Sequence, residues 1–243
     1  MLQKNDIEAR FHVEQAKYFL NKKEYNTALN IFSRIHSETN NMLENIIECC
    51  KGLGDYRKGI NVLKDSLRKK PEKNLWVKLS DCYFYNKDFE LCSQAVDECL
   101  SYELSGELIN TKLKCLFNLK KYDEIINLHD FMSGKITEDN LSNSSIYIFG
   151  KTFFEKTKKN YEIFDCTDTG KYLADAEYFF NKLFSRKFYH ENILYDYIDI
   201  LILKGDYNKA NQVCNKSYLV TNDAILNQYN SKIKKLIGVE NAE

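Results

Sequence analysis

Apolar side chains along this chain recur at steps of three and four residues. Trp76, Leu79 and Tyr83 form one such stripe, and Phe89, Cys92 and Val96 form a second after a short polar break. Each stripe fits one face of an amphipathic helix, and the break between them fits the turn of a helical hairpin. The break recurs. "KKEYNTALNIF", "LGDYRKGINVL", "NKDFELCSQAV" and "LKKYDEIINLH" place their aromatic residues Tyr25, Tyr56, Phe89 and Tyr122 at intervals of 31, 33 and 33 residues. "KGDYNKANQVC" repeats it around Tyr207, 85 residues further on. A period near 33 predicts an array of hairpins, and the long gap holds two periods plus roughly 15 to 20 residues. A fifth hairpin is therefore expected between Tyr122 and Tyr207. One proline, Pro71, and nine glycines leave few helix breakers in the chain.

Small and large residues alternate around these turns in a consistent way. In the first unit Ala16 and Phe19 precede Tyr25, and Ala28 and Phe32 follow it; the second keeps Gly59, Leu63 and the terminal Pro71. The third carries Trp76, Leu79, Ser80 and Tyr83 before Phe89, then Cys92 and Val96. The sixth has Tyr197, Leu201, Ala210 and Cys214. The fourth departs, because Leu113 and Ile125 fill its small slots and should loosen or shift that hairpin. The fifth is split: Phe149, Gly150 and Phe153 supply a first helix, and Ala176, Phe180 and Leu183 a second, around an insertion near 159–170.

These units resemble the tetratricopeptide repeat, over roughly residues 8 to 217. The resemblance implies an all-α, right-handed superhelical solenoid of about six hairpins. A single repeat domain is expected over 1–243, with units at about 8–40, 41–72, 73–105, 106–139, 143–187 and 190–220. A capping helix is expected at 222–238, with Ala224, Ile225, Tyr229, Ile233 and Ile237 on its apolar face. A lone hairpin cannot bury its apolar face, so stability comes from stacking against neighbours.

In this family the first helices line a concave groove that binds segments of partner proteins. The positions that face it lie 12, 8 and 5 residues before each turn aromatic. They place Phe84, Asn110, Lys114, Phe117, Tyr147, Lys151, Phe154, Tyr195 and Asp199 in the candidate groove. Aromatic anchors with a few charges suit a protein-binding surface. Lys114 and Lys151 suggest a partner segment carrying a carboxylate, while packing between first helices is the competing role for the phenylalanine row. The resemblance also tests a narrower role. Chaperone-tail receptors of the family hold a C-terminal carboxylate with a Lys and Asn clamp, but Val13 and Lys17 stand in the first unit's slots, and Glu44 and Glu48 in the second's would repel that ligand.

Composition narrows the function further. Lys+Arg and Asp+Glu number 35 each, so no global field attracts nucleic acid or an anionic membrane. The N-terminus is charged from the fourth residue, and no apolar run reaches bilayer length. A cytoplasmic or nuclear setting follows as the expectation. The eight cysteines show no zinc-type spacing and read as buried free thiols. Four scattered histidines and the absence of phosphate-loop, nucleophile-elbow or HExxH motifs point away from an enzyme, a metal or a cofactor. His12 and His129 fall in slots usually taken by bulky packing residues. The function expected is a non-enzymatic scaffold or adaptor within a multiprotein assembly. A receptor for a short peptide tail is the first alternative, and a regulator sensing a small ligand in a closed pocket is the second. Self-association through a terminal hairpin stays open.

Overall fold

The computed structural model describes residues 2–35, 40–132, 141–162 and 168–240. Among them every regular element is an α-helix, thirteen in order: α1 Leu2–Asn21, α2 Tyr25–Phe32, α3 Asn40–Leu53, α4 Arg57–Lys69, α5 Lys73–Tyr85, α6 Phe89–Tyr102, α7 Gly106–Asn118, α8 Tyr122–Met132, α9 Asn143–Glu162, α10 Thr169–Ser185, α11 Glu191–Leu203, α12 Tyr207–Thr221 and α13 Ala224–Glu240. The chain forms two compact units, Met1–Cys115 and Leu116–Glu243. Their boundary falls inside α7, in the hairpin whose small slots hold Leu113 and Ile125.

One turn geometry explains the period seen in the sequence. Two residues before each turn aromatic the backbone is left-handed: φ is 62° at Lys23, 67° at Gly54, 65° at Lys87, 56° at Lys120 and 75° at Gly205. The hydrogen bonds are those of a Schellman cap. In the third hairpin the Lys87 amide donates to the Phe84 carbonyl and the Asp88 amide to the Tyr83 carbonyl. The same pair of bonds recurs in the turns containing Lys23, Gly54, Lys120 and Gly205, and again at Lys187 between α10 and α11. Among the described residues, three of the five hairpin turns thus hold a lysine where glycine would be unstrained. Replacing Lys87 by glycine should raise stability by about 0.5 to 1 kcal/mol, the left-handed cost less glycine's entropy. A denaturant midpoint that fell would contradict this.

In the first unit the hairpins stack through α2 on α3 and α4 on α5. Small residues of the pattern lie in the core: Ala16, Ala28 and Cys92 have no exposed surface, and Ser80 and Ala95 have almost none. Large partners, Phe32, Ile46, Leu63 and Leu79, fill the spaces between them. Seven cysteines are described, all free and buried, which fits their reading as small core residues. Cys166 lies outside the described residues.

The second unit has a more aromatic core. Phe149, Phe153 and Phe179 stack between α9 and α10, at centroid distances of 5.4 Å for Phe149–Phe179 and 5.9 Å for Phe153–Phe179. His129 of α8 sets its ring edge-on to all three at 5.3 to 5.5 Å, so it packs as the slot requires. His12 does not, since it is exposed on α1 beside Phe11. The close approach of α9 to α10 depends on Gly150, where a Cβ would meet the Phe180 ring at 2.9 Å and the Phe179 Cβ at 3.1 Å. Of the insertion near 159–170, residues up to Glu162 continue α9 and α10 begins at Thr169; 163–167 lie outside the described residues.

The terminal helix keeps Ile233 buried and Tyr229 and Ile237 half-buried, as expected, but departs from the expected face in its first turn. Leu226 and Ile233 are fully buried, whereas Ile225 is 46% exposed and Ala224 is exposed too. Asn222 ends α12 in the left-handed region, and the Asp223 carboxylate accepts from the Ile225 amide. Leu226 and Ile233, seven residues apart, form the buried stripe of α13, which packs on α12.

Glu177 of α10 ties α11 and α12 together by accepting hydrogen bonds from Lys204 and from Lys209, the latter at 2.6 Å. Burial pushes its carboxyl up, but the two lysines outweigh this and hold it below its ordinary value of 4.5. A depressed carboxyl stabilises the fold above its unfolded pKa, and the contribution disappears as pH falls through the folded value. The stability advantage of the native chain over Glu177→Gln should therefore be greatest near neutral pH and shrink below pH 4.5. A difference that stayed constant across that range would contradict the sign.

Candidate protein-binding faces

The candidate groove residues divide between the units. Phe84, Asn110 and Lys114 belong to the first, and Phe117, Tyr147, Lys151, Phe154, Tyr195 and Asp199 to the second. Each set is described within its own unit.

On the first helices of the second unit, half-buried rings follow one another. Phe117 packs against the turn aromatic Tyr122 at 6.2 Å and against Tyr147 of α9 at 6.4 Å. Phe84 does the same in the first unit, meeting its turn aromatic Phe89 at 5.7 Å. One side of each ring therefore braces the turn while the other reaches the surface. Phe154 behaves differently. It has no exposed surface, and Lys158 and Lys151 lie over its ring at 4.0 and 5.6 Å. The phenylalanine row is thus part surface and part core, and Phe154 is a core residue supporting the two lysines.

Lys151 is held between carboxylates. Its Nζ donates to Asp196 of α11 at 2.8 Å and lies 3.2 Å from Glu155. Burial pulls this amine down, but the bonds to Asp196 and Glu155 outweigh it and keep the pKa above the ordinary lysine value. Further along, Tyr195 of α11 and Tyr229 of α13 stack at 5.8 Å. The Tyr195 hydroxyl donates to Asp223. Burial, reinforced by Asp223, raises the Tyr195 pKa; burial, reinforced by Asp199, raises that of Tyr229. Both phenols are therefore neutral donors. Lys151, one of the two lysines expected to receive a partner's carboxylate, already has two internal ones. Sequence reading missed Asp196, because the contact spans 45 residues and two hairpins.

The first unit has a corresponding face between α3 and α5. Glu44, Glu48, Lys51, Lys78 and Asp81 line a hollow of about 330 Å³ with Ile47 at its base. Lys78 donates to Glu44 at 3.0 Å, and Lys51 lies over the ring of Tyr85 at 5.7 Å. Tyr85 is 55% exposed and stacks on Tyr56 at 5.6 Å. On the second-helix side of the same unit, Trp76, Tyr83, Leu67 and Leu91 line an open groove of about 500 Å³ rimmed by Lys64, Arg68 and Glu98.

Hairpins with a 33-residue period, small residues at the crossings and a repeated Schellman turn define a tetratricopeptide-like helical repeat protein. No protein-family profile and no curated protein matches the chain. Solved structures do match. The P58(IPK) TPR domain shares 18% identity over 96% of this chain and 66% of its own, with a TM-score of 0.37. This chain therefore spans less than two thirds of that structure's length. A TPR2AB domain of yeast Sti1, solved in complex with pHSP90, shares 13% identity over 95% of this chain and 97% of its own, with a TM-score of 0.39. Similarity at this level carries no weight for function. Among the described residues no helix is long and apolar enough to cross a membrane, and no group of three or more His, Cys, Asp or Glu could hold a metal ion.

Proposed function

We propose that the chain is a non-enzymatic protein-interaction scaffold, a subunit or adaptor that holds a segment of a partner protein on its first-helix faces. The observation that carries this reading is the row of half-buried aromatic rings, Phe84 in one unit and Phe117, Tyr147 and Tyr195 in the other. Phe84 and Phe117 are braced by their turn aromatics, Tyr147 by Phe117 and Phe180, and Tyr195 by Tyr229; half-buried rings held in this way offer large, rigid contact area at little entropic cost, which is what binding hot spots use. Ion-paired and hydrogen-bonded groups around them keep those rings in place before a partner arrives. A cytoplasmic or nuclear setting suits this reading.

Affinity capture from the native cells tests it, with the wild-type chain beside a variant carrying Tyr147→Ala and Asp199→Ala. A discrete set of proteins should be recovered and lost with the variant, whose melting midpoint serves as the folding control. Equal recovery by both chains would contradict the reading.

A further inference from the structure

We infer that a second copy of this chain docks on the groove between α4 and α6, giving a two-fold symmetric dimer joined through its second helices. The groove is separate from the first-helix face of the same unit. Helix α5 turns Lys78 and Asp81 to the hollow beside α3, but Trp76, Leu79 and Tyr83 to this groove. The lips come from α4, with Lys64 and Arg68, and from α6, with Leu91 and Glu98. Trp76 is half-buried and Leu91 is 41% exposed, so apolar surface is left open to solvent between charged edges. A space of about 500 Å³ there has room for large side chains of an opposing helix.

The charges on the two lips select the occupant. Helix α4 carries Arg57, Lys58, Lys64, Arg68 and Lys69 against Asp65, whereas α6 carries Glu90, Asp97 and Glu98 and no base. Some of these already have partners: Arg57 pairs with Asp55, Arg68 with Asp65, and Asp97 with Lys112. Among the described residues, Lys64 and Glu98 make no salt bridge, and both are exposed on opposite lips. Lys64 lies over the Tyr83 ring at 5.6 Å, which keeps its amine at the groove. A two-fold axis needs a face complementary to itself, because every contact occurs twice with the roles exchanged. A basic lip, an apolar floor and an acidic lip meet that need. With α6 of each copy laid in the groove of the other, Leu91 packs beside the partner's Trp76, and Glu98 meets the partner's Lys64. A segment of uniform charge would instead be attracted by one lip and repelled by the other.

Sedimentation velocity of the full chain, from about 1 to 100 μM, tests this. The wild type should pass from monomer to dimer across that range, and less readily in high salt. Lys64→Glu should weaken dimerisation about tenfold or more, since one substitution acts at two symmetric contacts and turns each attraction into repulsion. Glu98→Lys should do the same. Both positions are exposed, and circular dichroism confirms that each variant folds. An equimolar mixture of the two variants should dimerise again, because each supplies the charge that the other lacks. Trp76 is the single tryptophan of the chain, so its emission should move to shorter wavelength as the groove is covered. A chain that stays monomeric would overturn the proposal and leave the groove to a helix of another protein. A dimer that neither substitution weakens, or that leaves the Trp76 emission unchanged, would overturn it by placing the contact elsewhere. Failure of the mixture to dimerise would overturn the two-fold pairing of Lys64 with Glu98. None of these outcomes bears on the first-helix faces, which the affinity capture tests.

Discussion

Replacing Phe154 with alanine should destabilise the second unit by about 3 to 5 kcal/mol, the usual cost of emptying a fully buried phenylalanine site. The ring has no exposed surface, and its loss also removes the platform under Lys158 and Lys151. Phe117→Ala should cost much less, about 1 to 2 kcal/mol, because only the side facing Tyr122 and Tyr147 is packed. The two substitutions thus separate support from surface along one row of the sequence. Thermal or urea unfolding of each single variant measures the difference. Equal losses would mean that Phe117 is core as well, and the aromatic surface would shrink accordingly.

The second large effect is expected at Gly150. Valine there has no room, since a Cβ already lies 2.9 Å from the Phe180 ring and 3.1 Å from the Phe179 Cβ. Two further methyl groups must push α10 away from α9 or force Phe180 off its rotamer, at a cost of about 1 to 3 kcal/mol or more. Phe180 in turn stacks on Tyr197 at 6.3 Å and meets Tyr147 edge-on at 6.1 Å, so the displacement spreads to α11 and to the binding face. Gly150→Val should therefore lower stability and shift near-ultraviolet circular dichroism from these rings together. Gly150→Ala should be milder, because helix propensity returns part of what the contact costs. A valine variant as stable as the wild type would show that α9 and α10 separate easily.

The repeat was legible because its cause is local. A left-handed residue, two fixed backbone bonds and an aromatic two positions on are all contained in a short stretch, so they leave the same signature wherever the turn occurs. The turn at Lys187 has the same bonds but leads from α10 into α11, so it joins hairpins instead of closing one and falls outside the 33-residue period. The face of α13 was legible from Tyr229 onward, where Tyr229, Ile233 and Ile237 are half-buried or buried, but not in its first turn, where Leu226 is buried and Ile225 exposed. Candidate site residues were legible by position but not by state. Repeat spacing placed Lys151 and Phe154 on a first helix, but Asp196, which pairs with the lysine, comes from another hairpin, and Phe154 is fully buried with two lysines over its ring. Long-range partners of this kind leave no local mark.

The most direct measurement is site-specific photo-crosslinking in the native cells. A photoreactive phenylalanine is placed at Tyr147 or Tyr195 on the first-helix face, and at Tyr178, 53% exposed on the second helix α10, as control. Positions 147 and 195 should capture the same discrete protein through one short segment, and position 178 should not. Capture at all three alike, or at 178 only, would contradict a binding surface on the first helices.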